Sequence, residues 1–156
     1  MRVLFVCTGN ICRSPTAEAI ARQRAAELGL AGRVEFDSAG THGYHLGAQP
    51  DSRSREYALR RGYDLSGLRA RRLAVEDFAR FDLLLAMDRG HLEQMRRLCP
   101  ASQQERLGLF MSHATDPVTE EVPDPYYGEA EGFEAVLDYC EQGVEGLLRQ
   151  LADDPH

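Results

Sequence analysis

The sequence predicts an α/β protein built on an open parallel sheet with helices on both faces. Three observations lead there. Short runs that are apolar at every position alternate along the chain with stretches of helical periodicity. Runs of that kind suit strands covered on both sides, whereas a half-exposed antiparallel strand would alternate apolar with polar. Gly, Pro, Asn and Asp punctuate the joints between the segments. Strands separated by helices pair in parallel through right-handed crossovers, and ligands of such sheets sit at the carboxyl ends of the strands.

"RVLFVC", from Arg2 to Cys7, is the first strand. "SPTAEAIARQRAAELGL" follows as a helix: Ser14 is placed to cap it, Pro15 suits its first position and Gly29 its stop. Its inward face is expected at Ala17, Ile20, Ala21 and Leu28. "RVEFDSAG" reads as the second strand, "HGYHLGAQPD" as a loop with His42 and His45 solvated, and "SREYALRRGY" as a helix closed by Gly62. "VEDFARF" is a short helix leading into a third strand, "FDLLLAMD". "RGHLEQMRRL" is helical until Pro100 stops it, and "RLGLFM" is a fourth, short strand. A turn-rich stretch, "SHATDPVTEEVPDPYYGEAEG", precedes the last helix, where Phe133, Val136, Leu137, Cys140, Val144, Leu147, Leu148 and Leu151 form one apolar stripe. Cys140 lies on that stripe and reads as core packing.

Length and composition set the frame. At 156 residues, 43% hydrophobic and 28% charged, the chain reads as one domain, 1–156, with an ordinary core. A net charge of −7 argues against nucleic acid as a partner. Every basic residue is arginine, most of them between Arg53 and Arg97, while the stretch after His113 is strongly acidic. No apolar run approaches the ~18 residues of a membrane span, and the N-terminus lacks a secretory pattern, so the expected compartment is the cytoplasm. Cys7, Cys12, Cys99 and Cys140 form no CxxC pair or zinc-like cluster, so no metal is expected and the thiols should be free.

The chemistry concentrates where the first strand ends. Cys7 to Arg13 is C-x5-R, a turn that can curl its backbone N–H groups around one tetrahedral oxyanion at a helix N-terminus. Thr8, Gly9, Asn10, Ile11 and Cys12 would line that cradle. Gly9 allows a close turn, and Asn10 is the non-glycine residue best suited to positive φ. Arg13 adds a planar fork for two of the anion's oxygens. Backbone donors, the helix dipole and Arg13 all favour Cys7 as a thiolate, and the Ser14 hydroxyl can donate to it. A thiolate that attacks phosphorus needs a proton donor for the leaving oxygen. Asp124, set between two prolines in "EVPDPYYGE", can supply it and then activate water. Tyr126 and Tyr127 beside it can wall the pocket.

With "VLFVCTGNICRSPTAEA", "DSAGT", "LGAQPDSR", "EDFARFDLLLAMD" and "DPYYG" in view, the chain resembles the low-molecular-weight protein tyrosine phosphatases along nearly its whole length. The resemblance implies a four-stranded parallel sheet of the flavodoxin-like, phosphotyrosine phosphatase I type. It also implies cofactor-free hydrolysis of phosphotyrosine proteins through a phosphocysteine, with a tyrosine kinase among the candidate partners. Cys7 then matches the nucleophile, Arg13 the phosphate clamp and Asp124 the general acid. Asn10, Ser14 and Ser38 match supports of the loop, Cys12 the thiol that captures oxidised Cys7 as a disulfide, and Tyr44 an aromatic that shapes substrate choice. Many members carry a histidine buttress where this chain has Leu68.

Three other functions share parts of the pattern. Family members that act on phosphoarginine typically have threonine in place of Ile11 and smaller residues in place of the tyrosine pair. Ile11, Tyr126 and Tyr127 therefore favour an aryl phosphate. An arsenate reductase needs two further cysteines on a mobile segment, and only Cys99 falls in a suitable region. A phosphate-binding module without catalysis would leave nucleophile and acid without a use.

Overall fold

In the computed structural model, which describes residues 1–115, 120–125 and 129–153, the four apolar runs become strands β1 (Arg2–Cys7), β2 (Glu35–Gly40), β3 (Leu83–Ala86) and β4 (Leu107–Leu109). They form one all-parallel sheet in the order β2-β1-β3-β4. The sheet is accompanied by helices α1 (Arg13–Glu27), α2 (Ser52–Arg60), α3 (Asp77–Arg80), α4 (Arg89–Leu98) and α5 (Ala130–Asp153).

Alternation along β1 divides the core in two. Val3, Phe5 and Cys7 face the layer that holds α1 and α5, with Ile20, Val136, Leu137 and Leu147. Leu4 and Val6 face the layer of α3 and α4, with Phe78, Leu92 and Met95. Phe5 anchors the first layer, stacked on Phe36 at 5.9 Å and edge-on to Phe110 at 5.3 Å between ring centroids. Since β1 is flanked by β2 on one side and β3 on the other, the chain leaves its carboxyl end between two diverging connections. That crevice is where open parallel sheets place ligands. Among the described residues no helix is long and apolar enough to cross a membrane.

Local expectations fail at a few positions. Ser14 is not the cap of α1: the helix begins at Arg13, Cys12 is the N-cap residue, and no side chain bonds the cap. Leu28 is 63% exposed, because α1 ends at Glu27 and the inward ladder runs Ala17, Ala21, Ala25. Gly29 follows the helix at φ 74, as its place in the sequence suggests. The fourth strand stops at Leu109, and Phe110–His113 turns into a 3-10 helix whose Phe110 and Met111 sit in the core. A second such turn, Ala101–Arg106, carries no signal in the sequence reading. The stripe on α5 is buried from Phe133 to Leu148, with Leu151 packed at its margin.

Candidate active site

The loop between β1 and α1 is held by its carbonyls. Those of Cys7, Thr8 and Ile11 accept from the backbone N–H groups of Thr41 (2.8 Å), His42 (3.0 Å) and Asp51 (2.8 Å), and that of Cys12 accepts from the Thr16 hydroxyl at 2.7 Å. In a planar trans peptide the N–H points opposite to the C=O. Tying these carbonyls to the surrounding chain therefore turns the following N–H groups towards the space the loop encloses. Asn10 completes the curl at φ 59. Gly9 matters for a different reason than its backbone angle: a Cβ there would meet the His45 ring at 2.9 Å.

Beneath the loop runs a chain of hydrogen bonds centred on Asn10. The Asn10 side-chain amide donates to Ser14 Oγ (2.8 Å) and Ser38 Oγ (2.9 Å), and its oxygen accepts from the Arg71 backbone N–H at 3.0 Å. Ser14 Oγ accepts from Asn10 and shares a hydrogen bond with Cys7 Sγ, 3.0 Å away, in which the hydroxyl must be the donor whenever Cys7 is a thiolate. Ser38 Oγ passes its hydrogen to Glu18 Oε1 at 2.6 Å. Glu18 is buried, and that burial lifts its carboxyl above the ordinary range, with the Ser38 bond and Arg22 pulling the other way. Leu68, at the position where the resemblance leads one to look for a histidine, packs on the main core. Glu18 and Arg71 close the network.

Arg13 is 3% exposed and uses its two amino groups differently. Nη1 is fixed, donating to Asp88 Oδ2 at 2.9 Å and to the Val122 carbonyl at 3.0 Å. Among the described residues Nη2 has only long contacts, with His91 Nε2 at 3.4 Å, Thr8 Oγ1 at 3.5 Å and Asp124 Oδ2 at 3.7 Å. One edge is anchored, and the other stays available to an anion. Burial alone would raise the Asp88 carboxyl, but the His91 amide and ring and then Arg13 outweigh it and hold the group below its usual range. Burial, and then Arg13, push the His91 imidazole down to about 4.

Cys7, Thr8, Gly9, Ile11, Cys12, Arg13, Tyr44, His45 and Asp124 line one cleft of about 210 Å³. Tyr44 stands at its rim, 71% exposed and stacked on His42 at 4.9 Å; Asp124 is half exposed. His45, expected in solvent, is part of the wall. Asn10, Ser14 and Ser38 lie behind the loop. Tyr126 and Tyr127 fall outside the described residues. Burial lifts the Cys12 thiol to about 12, so it rests uncharged beside Cys7. Cys140 is fully buried on α5, its Sγ 4.0 Å from the Arg13 carbonyl, and Cys99 is buried at the end of α4. Among the described residues no three His, Cys, Asp or Glu side chains gather as a metal site.

Four neighbours of this cleft escape the sequence reading: Asp88, His91, Glu18 and the Val122 carbonyl. The first three had a usable signal. Asp88 is the first polar residue after a buried strand, His91 lies one turn on, and Glu18 is a charge four residues after Ser14 on an otherwise apolar helix face.

The sequence matches the family described as low molecular weight phosphotyrosine protein phosphatase over residues 2–156. It is 44% identical to a low molecular weight protein-tyrosine-phosphatase of Streptomyces coelicolor, across 97% of this chain and 94% of that one. The fold superimposes on a protein tyrosine phosphatase of Entamoeba histolytica, solved with Hepes in its active site, with a TM-score of 0.95 at 39% identity, covering 98% and 97% of the two chains. A Drosophila arginine phosphatase gives a TM-score of 0.91 at 29% identity, covering 99% of each chain.

Proposed function

Because the chain belongs to the low molecular weight phosphotyrosine protein phosphatase family and is a hydrolase of that class, we propose that it dephosphorylates phosphotyrosine proteins through a phosphocysteine formed on Cys7. The observation that carries the proposal is one cleft in which a thiol faced by a hydroxyl donor, an anchored guanidinium with one open edge and a carboxyl all meet. Residues 1–156 act as a single phosphatase domain.

Cys7 Sγ attacks phosphorus while the bond to the tyrosyl oxygen breaks and Asp124 gives that oxygen its proton. The loop N–H groups and Arg13 Nη2 hold the equatorial oxygens as charge spreads over them. The Asp124 carboxylate then takes a proton from water, which attacks phosphorus and expels Cys7 as a thiolate steadied by the Ser14 hydroxyl. The chemistry needs the acid protonated and the thiol ionised at the outset, so the rate should pass through an optimum in pH. A rate climbing steadily to pH 9 would contradict that pairing. Asn10, Ser14 and Ser38 keep the loop in shape, and Tyr44 with Tyr126 and Tyr127 would grip the aryl ring. After oxidation of Cys7 by peroxide to the sulfenic acid, the Cys12 thiol condenses with it, releasing water and leaving a reducible disulfide.

Steady-state hydrolysis of phosphotyrosine and phosphoarginine by the wild type, Cys7→Ser and Asp124→Ala tests these roles. Phosphotyrosine turnover should dominate, vanish in the cysteine variant and fall about a hundredfold without the aspartate. Dominant phosphoarginine turnover would keep the nucleophile and overturn the reading of Ile11, a possibility the likeness to the Drosophila enzyme makes worth measuring.

A further inference from the structure

His91 comes from α4, far from the loop in sequence, yet its imidazole fills the space between the loop and the clamp and is only 4% exposed. Nε2 lies 2.7 Å from Thr8 Oγ1 and 3.4 Å from Arg13 Nη2. Nδ1 lies 3.1 Å from Asp88 Oδ1, off the axis of a full hydrogen bond, and the same carboxyl oxygen accepts from the His91 backbone N–H at 2.9 Å.

The neighbours decide which nitrogen carries the proton. Arg13 has only donors, so a proton on Nε2 would set N–H against N–H. Asp88 accepts, so the proton belongs on Nδ1. The charged and titratable groups acting on the ring are Arg13 from α1, Asp88 from its own helix, Asp124 from the late loop and His42 from the loop after β2. Burial and Arg13 prevail among them and favour the uncharged ring.

We propose that His91 is a positioning residue for the anion loop: its neutral imidazole accepts the Thr8 hydroxyl at Nε2, pins the first residue of the loop to α4, and leaves the open edge of Arg13 facing the cleft. This rests on the reading of Cys7 and Arg13 as nucleophile and clamp. A neutral acceptor is the right partner there. A carboxylate would pair off the guanidinium edge that an anion needs, and an apolar side chain would leave the Thr8 hydroxyl unheld.

The test compares His91→Gln, whose side-chain oxygen reaches the Nε2 position, with His91→Asn, which reaches only the Nδ1 position. Cys7→Ser is the control. On the full chain, kcat and KM for p-nitrophenyl phosphate, the inhibition constant for vanadate and the thermal midpoint are measured. The Asn variant should lose about tenfold or more in kcat/KM and bind vanadate correspondingly less well, while Gln stays within about threefold of wild type, for midpoints that fall together. Equal kinetics and vanadate binding in the Asn variant and wild type would overturn the proposal, as would a Gln variant as impaired as Asn. Nitrogen-15 shifts of the ring should report the Nδ1–H neutral tautomer at pH 6; an imidazolium there would also overturn it. Residual turnover by Cys7→Ser would sink the nucleophile reading and this inference with it. A dead Cys7→Ser beside a fully active Asn variant would sink this inference alone.

Discussion

Asn10 holds a left-handed backbone, φ 59, that costs an ordinary L-residue about 1–2 kcal/mol, and its side chain reaches Ser14, Ser38 and the Arg71 backbone at once. Two substitutions separate these contributions. Asn10→Gly keeps the backbone relaxed and loses the three bonds, whereas Asn10→Ala loses the bonds and strains the turn. Both should depress kcat to a similar degree, because the Ser14 hydroxyl is then free to turn away from Cys7. In urea unfolding, the alanine variant should be the less stable by about 1 kcal/mol. Equal stabilities would mean that the turn relaxes without effort and that the side-chain bonds alone matter.

Among the elements, α5 is seated closely at two glycines. Gly146 lies so close to the His113 carbonyl that a Cβ would overlap it, and a Cβ on Gly143 would run into the Phe110 ring at 2.5 Å. The apolar stripe buries the helix, but these two glycines let it lie directly on the turn that follows β4. Gly146→Ala should therefore destabilise the protein by roughly 1–3 kcal/mol despite alanine's better helix propensity. A denaturation midpoint equal to or above wild type would show that α5 can slide. The same helix brings Cys140 beneath the Arg13 carbonyl, so its seating also bears on the start of α1.

For the molecule as a whole, buried and half-buried titratable groups oppose one another in pH. His91, at about 4 when folded against an ordinary 6.5, contributes stability that is complete above pH 6.5 and is lost as pH falls, because the unfolded chain takes up the proton first. Asp88, held low, acts in the same sense at more acid pH. Glu18 has the opposite sign: its raised folded value favours the folded state below the ordinary 4.5 and becomes a cost as pH rises. Relative to wild type, Glu18→Gln should gain stability progressively from pH 4 to pH 7, read as urea midpoints. A gain that shrinks over that range would show that the carboxylate is better compensated by Arg22 than its burial suggests. At this scale too, net charge −7 is compatible with the proposed anion site, because a positive potential can be local, made by one buried guanidinium and the loop amides.

Much of this protein is legible along the chain. Continuous apolar runs specify strands covered on both faces, and the α5 stripe specifies its buried side. C-x5-R after the first strand marks the loop on which the proposed function rests, and Asn10 announces its left-handed turn. These are local properties, set by spacing, propensity and turn chemistry within a few residues. Other features are decided only by tertiary structure. Asp88 and Val122 meet Arg13 across 75 and 109 residues, and they do so because β3 lies beside β1 in parallel, which brings the two carboxyl ends to one crevice. Ser14 reads as both helix cap and partner of Cys7, and the fold keeps only the second role and adds Asn10; His45 reads as solvated until Gly9 admits its ring. Local sequence chooses the elements and the reactive groups; the order of strands in the sheet chooses which distant side chains support them, because only packing makes those residues neighbours.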